Sequence, residues 1–337
     1  MLTLGEWAWA ESNQMSRRQF LIALGLATVG VPYSALAQAP SRLPTVGMLW
    51  THVPVTDPDL DRWRKCFREL GYEEGRNLNL IVVSAEGHLD RLPALANELI
   101  NRGADVIITT NDVSTRAAQR ATTKIPIVMS SAGSDPVSQG FVNSLRRPEG
   151  NITGSYSLIY GLENKQLELL KEAVPQVSRV AILRHPPFGE QALPDLPPAA
   201  KALKLQLEMI EIGSAVELRS AFQAAKRKKV GAMLLIWSPM FYLNRDRIAA
   251  LAIEYKMPIV SSVPADVGAF LTYGSDRIET QKRSCYYANR LLNGAKPSEL
   301  PVEEVSTIRL TVNLRTARAL GISIPDSILA RADEVVR

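Results

Sequence analysis

Short apolar runs alternate with amphipathic ones along most of this chain. Residues 45–50 are continuously apolar or small and read as a buried strand. Asp57-Pro58 then suits a helix start, Asp as the cap and Pro in the first turn. The spacing predicts a helix to about Leu70, stopped by Gly71. Strands are expected at 78–83, 106–109 and 125–129, the last with Pro126 near its start. Helices at 89–101 and 114–121 separate them. The rhythm then restarts. Helices are expected at 162–173, 191–203, 215–228 and 244–255, and strands at 179–183, 205–212, 230–237 and 258–261. Two such runs predict two doubly wound parallel-sheet α/β lobes. A helix at 276–292, a strand near 308–312 and a short helix near 314–320 break the alternation. A tail that follows two complete α/β units must pack against one or both, which implies several crossings between the lobes.

Residues 1–37 have a different pattern. Arg17-Arg18 directly precedes an apolar run from Leu21 to Val31, and Ala35-Leu36-Ala37 supplies a small-x-small site. That order predicts a secretory signal peptide with a twin-arginine address, cleaved after Ala37. The run is broken by Gly25, Gly30 and Pro32, too soon for a membrane span of about 20 residues. Periplasmic localisation is therefore expected.

Composition narrows the chemistry. A net charge of +5 over 337 residues is mild, and the one dense basic run, Lys226-Arg227-Lys228-Lys229, falls at a predicted helix end where cations suit the dipole. No nucleic-acid partner is expected. The histidines, His52, His88 and His185, have no metal-ligand spacing. Cys66 and Cys285, the only cysteines, fall on predicted helices. They read either as small core residues or as one long-range disulfide in an oxidising compartment. No G-x-G-x-x-G, Walker or G-x-S-x-G motif follows a strand, so neither a cofactor nor catalytic residues are expected.

What remains is a set of residues at the carboxyl ends of strands, where open α/β sheets bind ligands. Thr110 and Asn111 end one strand of the first lobe; Ser130, Ser131 and Asp135 follow another. Trp237 and Ser261 take equivalent places in the second lobe. Trp50, Tyr156, Trp237 and Tyr273 offer apolar faces to a flat ligand, or else pack in the core. The serine clusters also suit turns and helix caps.

Several long motifs then become specific. Residues 125–137 (IPIVMSSAGSDPV), 140–145 (GFVNSL) and 147–154 (RPEGNITG) resemble a family of ABC-transporter substrate-binding proteins. So do 70–77 (LGYEEGRN), 273–276 (YGSD) and the terminal block 310–322 with Ile324-Pro325 and 329–335. The resemblance covers about residues 43–337. It implies a type I periplasmic-binding-protein fold, with three crossings near Tyr160, Phe270 and Pro301. The lobes would comprise 43–160 with 271–300, and 161–270 with 301–337. It implies an extracytoplasmic protein, expected as a monomer, that closes on a small molecule and delivers it to an ABC permease. The helix from Asp276 would return to the first lobe, bringing Cys285 towards Cys66. An amino acid or related carboxylate is the implied ligand class, with Asn111, Ser130, Ser131 and Asp135 matching the family's first-lobe positions. The second lobe departs from the family. Arg184-His185-Pro186-Pro187-Phe188 replaces an Asn-Pro pair, Trp237-Ser238-Pro239-Met240-Phe241 replaces a short polar turn, and Asp266 is the nearest substitute for a missing acid. A ligand-sensing module for a receptor, or an exported cofactor-dependent enzyme, are the alternative roles.

Overall fold

The computed structural model describes residues 42–337 except 53, 55–58, 158–160, 187 and 263–267. The expected leader, the Asp57-Pro58 helix start and Asp266 lie outside the described residues. Among the described residues no helix is long and apolar enough to cross a membrane.

The first lobe opens with β1 (Thr45–Trp50), every residue of which is buried. Then come α1 (Asp59–Glu69), β2 (Asn79–Ser84), α2 (Leu92–Asn101), β3 (Val106–Thr109), α3 (Asp112–Ala121), β4 (Ile127–Ala132) and β5 (Ile152–Tyr156). β1 lies between β2 and β3 and is parallel to both, with Val46 opposite Leu80 and Val106. Both faces of such a sheet are covered by helices, so its strands are apolar throughout rather than alternating. α1 is amphipathic and gives way to Gly71, whose φ of +86° ends the helix at no steric cost. At Gly154, φ is +123° and a Cβ would stand 2.3 Å from the Met129 carbonyl oxygen, so β5 approaches β4 only because this residue has no side chain.

The second lobe contains α4 (Glu163–Ala173), β6 (Arg179–Arg184), α5 (Leu196–Ala202), β7 (Gln206–Glu211), α6 (Leu218–Arg227) and β8 (Ala232–Leu235). It continues with α7 (Pro239–Leu243), α8 (Arg245–Glu254), β9 (Ile259–Ser261) and β10 (Leu271–Ser275). The chain then passes to α9 (Arg277–Leu292), β11 (Glu303–Glu304), β12 (Ile308–Asn313), α10 (Leu314–Leu320), α11 (Asp326–Leu329) and β13 (Glu334–Val336). Among the described residues one sheet has the order β11-β5-β4-β3-β1-β2 and the other β13-β12-β10-β9-β8-β6-β7. All pairs are parallel except β10 with β12. These are the two expected parallel-sheet lobes.

Two of the three crossings between sheets fall a few residues from the expected places, for a reason visible in the pairing. The first follows Ser157. The second falls at Asp276 rather than near Phe270, because β10 pairs with β9 and so stays in the second sheet. The third falls after Glu304 rather than at Pro301, because β11 pairs with the exposed edge of β5. α9 does return to the first lobe, packing on β4, β5, β3 and α1.

The three crossings are bonded to one another. Ser157 Oγ donates to the Val305 carbonyl (3.0 Å) and, having one proton, accepts from Ser275 Oγ. Val305 N donates to the Tyr156 carbonyl (2.8 Å), and Asp276 N to that of Thr307 (2.9 Å). Asp276 also caps α9, its Oδ1 accepting from Ile278 N (2.8 Å) and Glu279 N (3.1 Å), while Oδ2 meets Arg309 Nε at 2.5 Å. Burial opposes the charge on Asp276, but Arg309 and the two N–H donors prevail and hold its carboxyl below the ordinary range.

Candidate ligand cleft

The carboxyl edges of the two sheets meet. His52, just past β1, sets its ring edge against Trp237 (centroids 5.8 Å apart) and Tyr242 (5.1 Å) of the other lobe. Beside them, a Cβ on Gly87 would stand 3.2 Å from Leu243 Cδ1 in α7. One apolar cluster accordingly runs from Met48 and Trp50 in the first lobe to Leu235, Phe241 and Tyr242 in the second.

On the first-lobe side a polar chain fixes His52. Asn111 caps α3, its Oδ1 accepting from Ser114 N (3.0 Å). Its Nδ2 donates to Thr51 Oγ1 (2.7 Å), which lies 2.7 Å from His52 Nδ1. Asp112, first in α3, accepts from Gly133 N (3.1 Å) and Ser134 Oγ (2.8 Å), tying the loop after β4 to the helix. Burial pushes its carboxyl up, against the pull of those donors and Arg116. Ser130 Oγ is buried and donates to Ser284 Oγ of α9 (2.8 Å), whose own proton goes to the Thr280 carbonyl (2.9 Å).

On the second-lobe side the walls are aromatic. Trp237 meets Phe188 edge-on (5.9 Å), and His185 stacks on Phe188 (5.7 Å) beside Phe241 (6.4 Å). The guanidinium groups of Arg245 and Arg277 lie over the Tyr242 ring at 4.8 and 5.1 Å. α7 begins here because Ser238 Oγ accepts from Phe241 N (3.2 Å) with Pro239 in the first turn. Burial depresses the basicity of His185, against a bond to the Gly213 backbone.

Four buried side-chain atoms of the described residues have no hydrogen-bond partner: Trp50 Nε1, Thr110 Oγ1, Asn164 Oδ1 and His185 Nδ1. All four stand at the same edges. Trp50 ends β1, Thr110 follows β3, His185 follows β6, and Asn164 lies in the first turn of α4, which runs down towards the start of β6. An isolated unsatisfied group of this kind costs about 1–3 kcal/mol. Two belong to each lobe, and all four lie on the carboxyl sides of the sheets.

The other sequence candidates are more dispersed. Asp135 is exposed and closes a turn on Val137 N (3.0 Å). Tyr156 is buried at the end of β5 with its hydroxyl 3.4 Å from Glu304 Oε2. Ser261 is buried and donates to the Leu235 carbonyl (3.3 Å). Tyr273 packs on the second-lobe core, its carbonyl accepting from Gln166 Nε2 (2.8 Å). Ser131 lies in β4; its side chain and Asp266 fall outside the described residues. Thr51, His52, Asn164, His185, Phe188 and Tyr242 join the cleft without having been candidates. His185 and Phe188 carried a signal, the departure after β6. Asn164 carried none. No group of three His, Cys, Asp or Glu among the described residues could hold a metal ion. A hollow of about 430 Å³ lies between α2 and α3, lined by Leu92, Asp112, Val113, Arg116 and Phe141.

A family model described as "ABC transporter substrate binding protein" matches residues 52–336, taking in both lobes and all three crossings. The chain belongs to that family. Such substrate-binding proteins capture small ligands outside the cytoplasm for a membrane permease, the work that two lobes meeting at their ligand-binding edges suit. This substrate-binding protein is 26% identical over 277 residues to a curated "Tyrosine-binding protein" of Clostridioides difficile, covering 80% of this chain and 79% of the relative. A solved "conserved domain protein" from Vibrio cholerae superposes with a TM-score of 0.72 at 26% identity, over 87% of this chain and 100% of that one. A Streptococcus "ABC domain in complex with L-Trp" does so with a TM-score of 0.72 at 24% identity, over 88% and 100%.

Proposed function

We propose that the cleft binds a small amino acid or related carboxylate with a flat apolar portion, which bridges the two lobes and holds them closed. The observation that supports this is the set of four unpartnered polar atoms. The indole N–H of Trp50 can only donate, Asn164 Oδ1 can only accept, and the Thr110 hydroxyl can do both. His185 Nδ1 accepts, since its Nε2 is the nitrogen left to bond Gly213. A ligand that meets all four must offer an acceptor to the first lobe and donors to the second, as the carboxylate and ammonium of an amino acid can. The rings of Trp237, Phe188 and Tyr242 supply the apolar contact. Closure is ligand-driven in the usual way: a molecule that contacts both lobes binds the closed state better than the open one. The bonded crossings let the lobes turn while keeping their own packing. No residue here is asked to make or break a covalent bond, and the closed form is what the permease recognises.

Native mass spectrometry of protein from its own source, then calorimetric titration with the recovered compound, L-tyrosine and L-tryptophan, tests this reading. A stoichiometric amino-acid-like ligand is expected. A tightly bound sugar or metal complex, with no heat from either amino acid, would reject the ligand class.

A further inference from the structure

Cys66 of α1 and Cys285 of α9 are buried reduced thiols in one core cluster of the first lobe, on helices that pack together. The two residues come from distant parts of the chain, separated by two crossings, yet the helices that carry them are held in fixed register. Tyr72 Oη donates to Asn289 Oδ1 (2.9 Å) beyond one end of the pair. At the other end, the Gln281 carboxamide oxygen accepts from Trp63 N (2.8 Å) and Trp63 Nε1 (3.3 Å). Cys66 Sγ itself lies 3.8 Å from the Gln281 carbonyl, one turn before Cys285.

We propose that Cys66 and Cys285 are a dithiol redox site that closes to an intramolecular disulfide between α1 and α9 when the protein meets a low-molecular-weight disulfide. The two sulfurs are not equivalent. Cys285 is the main influence on Cys66 and lowers its thiol, helped by Lys282 and opposed by burial and Glu69. Cys285 is fully enclosed, and burial pushes its thiol up. Cys66, the less enclosed of the two, is thus the attacking sulfur. Its sulfur bonds to one sulfur of the incoming disulfide and expels the other half as a thiolate. The Cys285 sulfur, deprotonated as it attacks, then bonds to Cys66 and expels the second half. The protein loses two protons and two electrons, and the reagent takes them up to become two thiols. The bridge would fasten the helix that returns from the second lobe to the first helix of its own lobe.

Full-chain protein is incubated with oxidised glutathione, then denatured and alkylated for intact mass. The expected product is monomeric, lacks two hydrogens, takes no alkyl group, and regains two alkylation sites after reduction. Cys285→Ser should stop at one glutathione on Cys66, whereas Cys66→Ser should gain none. The oxidised protein should melt roughly 5 °C or more above the reduced form. Two alkylatable thiols in treated wild type, or disulfide-linked dimers in place of the internal bridge, would overturn the proposal. Glutathione accumulating on Cys285 rather than Cys66 would overturn the assigned roles.

Discussion

Replacing Thr110 by Val separates the cost of the empty cleft from its use. The two side chains have nearly the same shape, and the Thr110 hydroxyl is buried with no partner. The backbone N–H of Thr110 donates to Ser114 Oγ at 3.1 Å and is untouched by the change. In ligand-free protein the hydroxyl therefore carries a desolvation cost, about 1–3 kcal/mol for an isolated buried group. Solvent entering the empty cleft relieves part of it, so a gain near the lower end, about 1 kcal/mol, is expected on substitution. For a chain of this size that corresponds to roughly 2 °C in the thermal midpoint. Ligand binding should move the other way. Losing one neutral hydrogen bond costs about 0.5–1.5 kcal/mol, or roughly 2- to 12-fold in Kd. The assay is a melt of protein stripped of ligand by unfolding and refolding, paired with calorimetric titration of the recovered ligand. Thr110→Ser should bind as wild type does. A Thr110→Val protein that melts several degrees lower when empty, or that binds with unchanged affinity, would refute the reasoning.

Further expectations follow from the same geometry. Trp237→Ala removes the ring that joins His52 to Phe188 and should weaken ligand binding roughly 2- to 12-fold by calorimetry, since the edge-on pair lost across the cleft contributes about 0.5–1.5 kcal/mol beyond burial. His185 has its folded pKa below the ordinary 6.5, so the unfolded chain binds the extra proton. Its stabilising effect is full above about 6.5 and declines as pH falls from there through the lowered folded value; urea titrations should show that slope flattened in His185→Gln. Asp276 is lowered too, so its contribution is complete above the ordinary carboxylate pKa and is lost only as pH falls through the folded value. Asp276→Asn should lose about 1–2 kcal/mol at neutral pH through the weakened cap and ion pair, and should acid-unfold less steeply than wild type.

The lobes were legible in the sequence because their central strands are apolar on both faces. Residues 45–50, 106–109 and 179–183 needed no periodicity to be read. β5 and β10 were not legible. Their sequences, ITGSY and LTYGS, look like turns, yet the residues of β5 are fully buried because α9 covers that edge of the first sheet. Missing β10 and the two-residue β11 moved two expected crossings by several residues. The cleft was half legible. Strand ends marked Trp50, Thr110 and Trp237, but Asn111 is occupied as a helix cap and Ser261 as a bond to its neighbouring strand. Whether a polar residue is spent on the backbone or left over depends on neighbours far away in the chain. Asn164, on a helix that begins just after a crossing, shows how far.

The interleaving of the two sheets also sets the order in which a new chain can be completed. When residue 275 has left the ribosome, both lobes hold most of their mass, yet neither is closed. The edge of β5 waits for β11 and the face beside it for α9; the edge of β10 waits for β12. The first lobe is finished with Glu304, and the second only with β12 and β13, within the last thirty or so residues of synthesis. Until then two strand edges and an uncovered apolar face persist on the growing chain, so the folded state arrives late and all at once, after almost the whole polypeptide has been made.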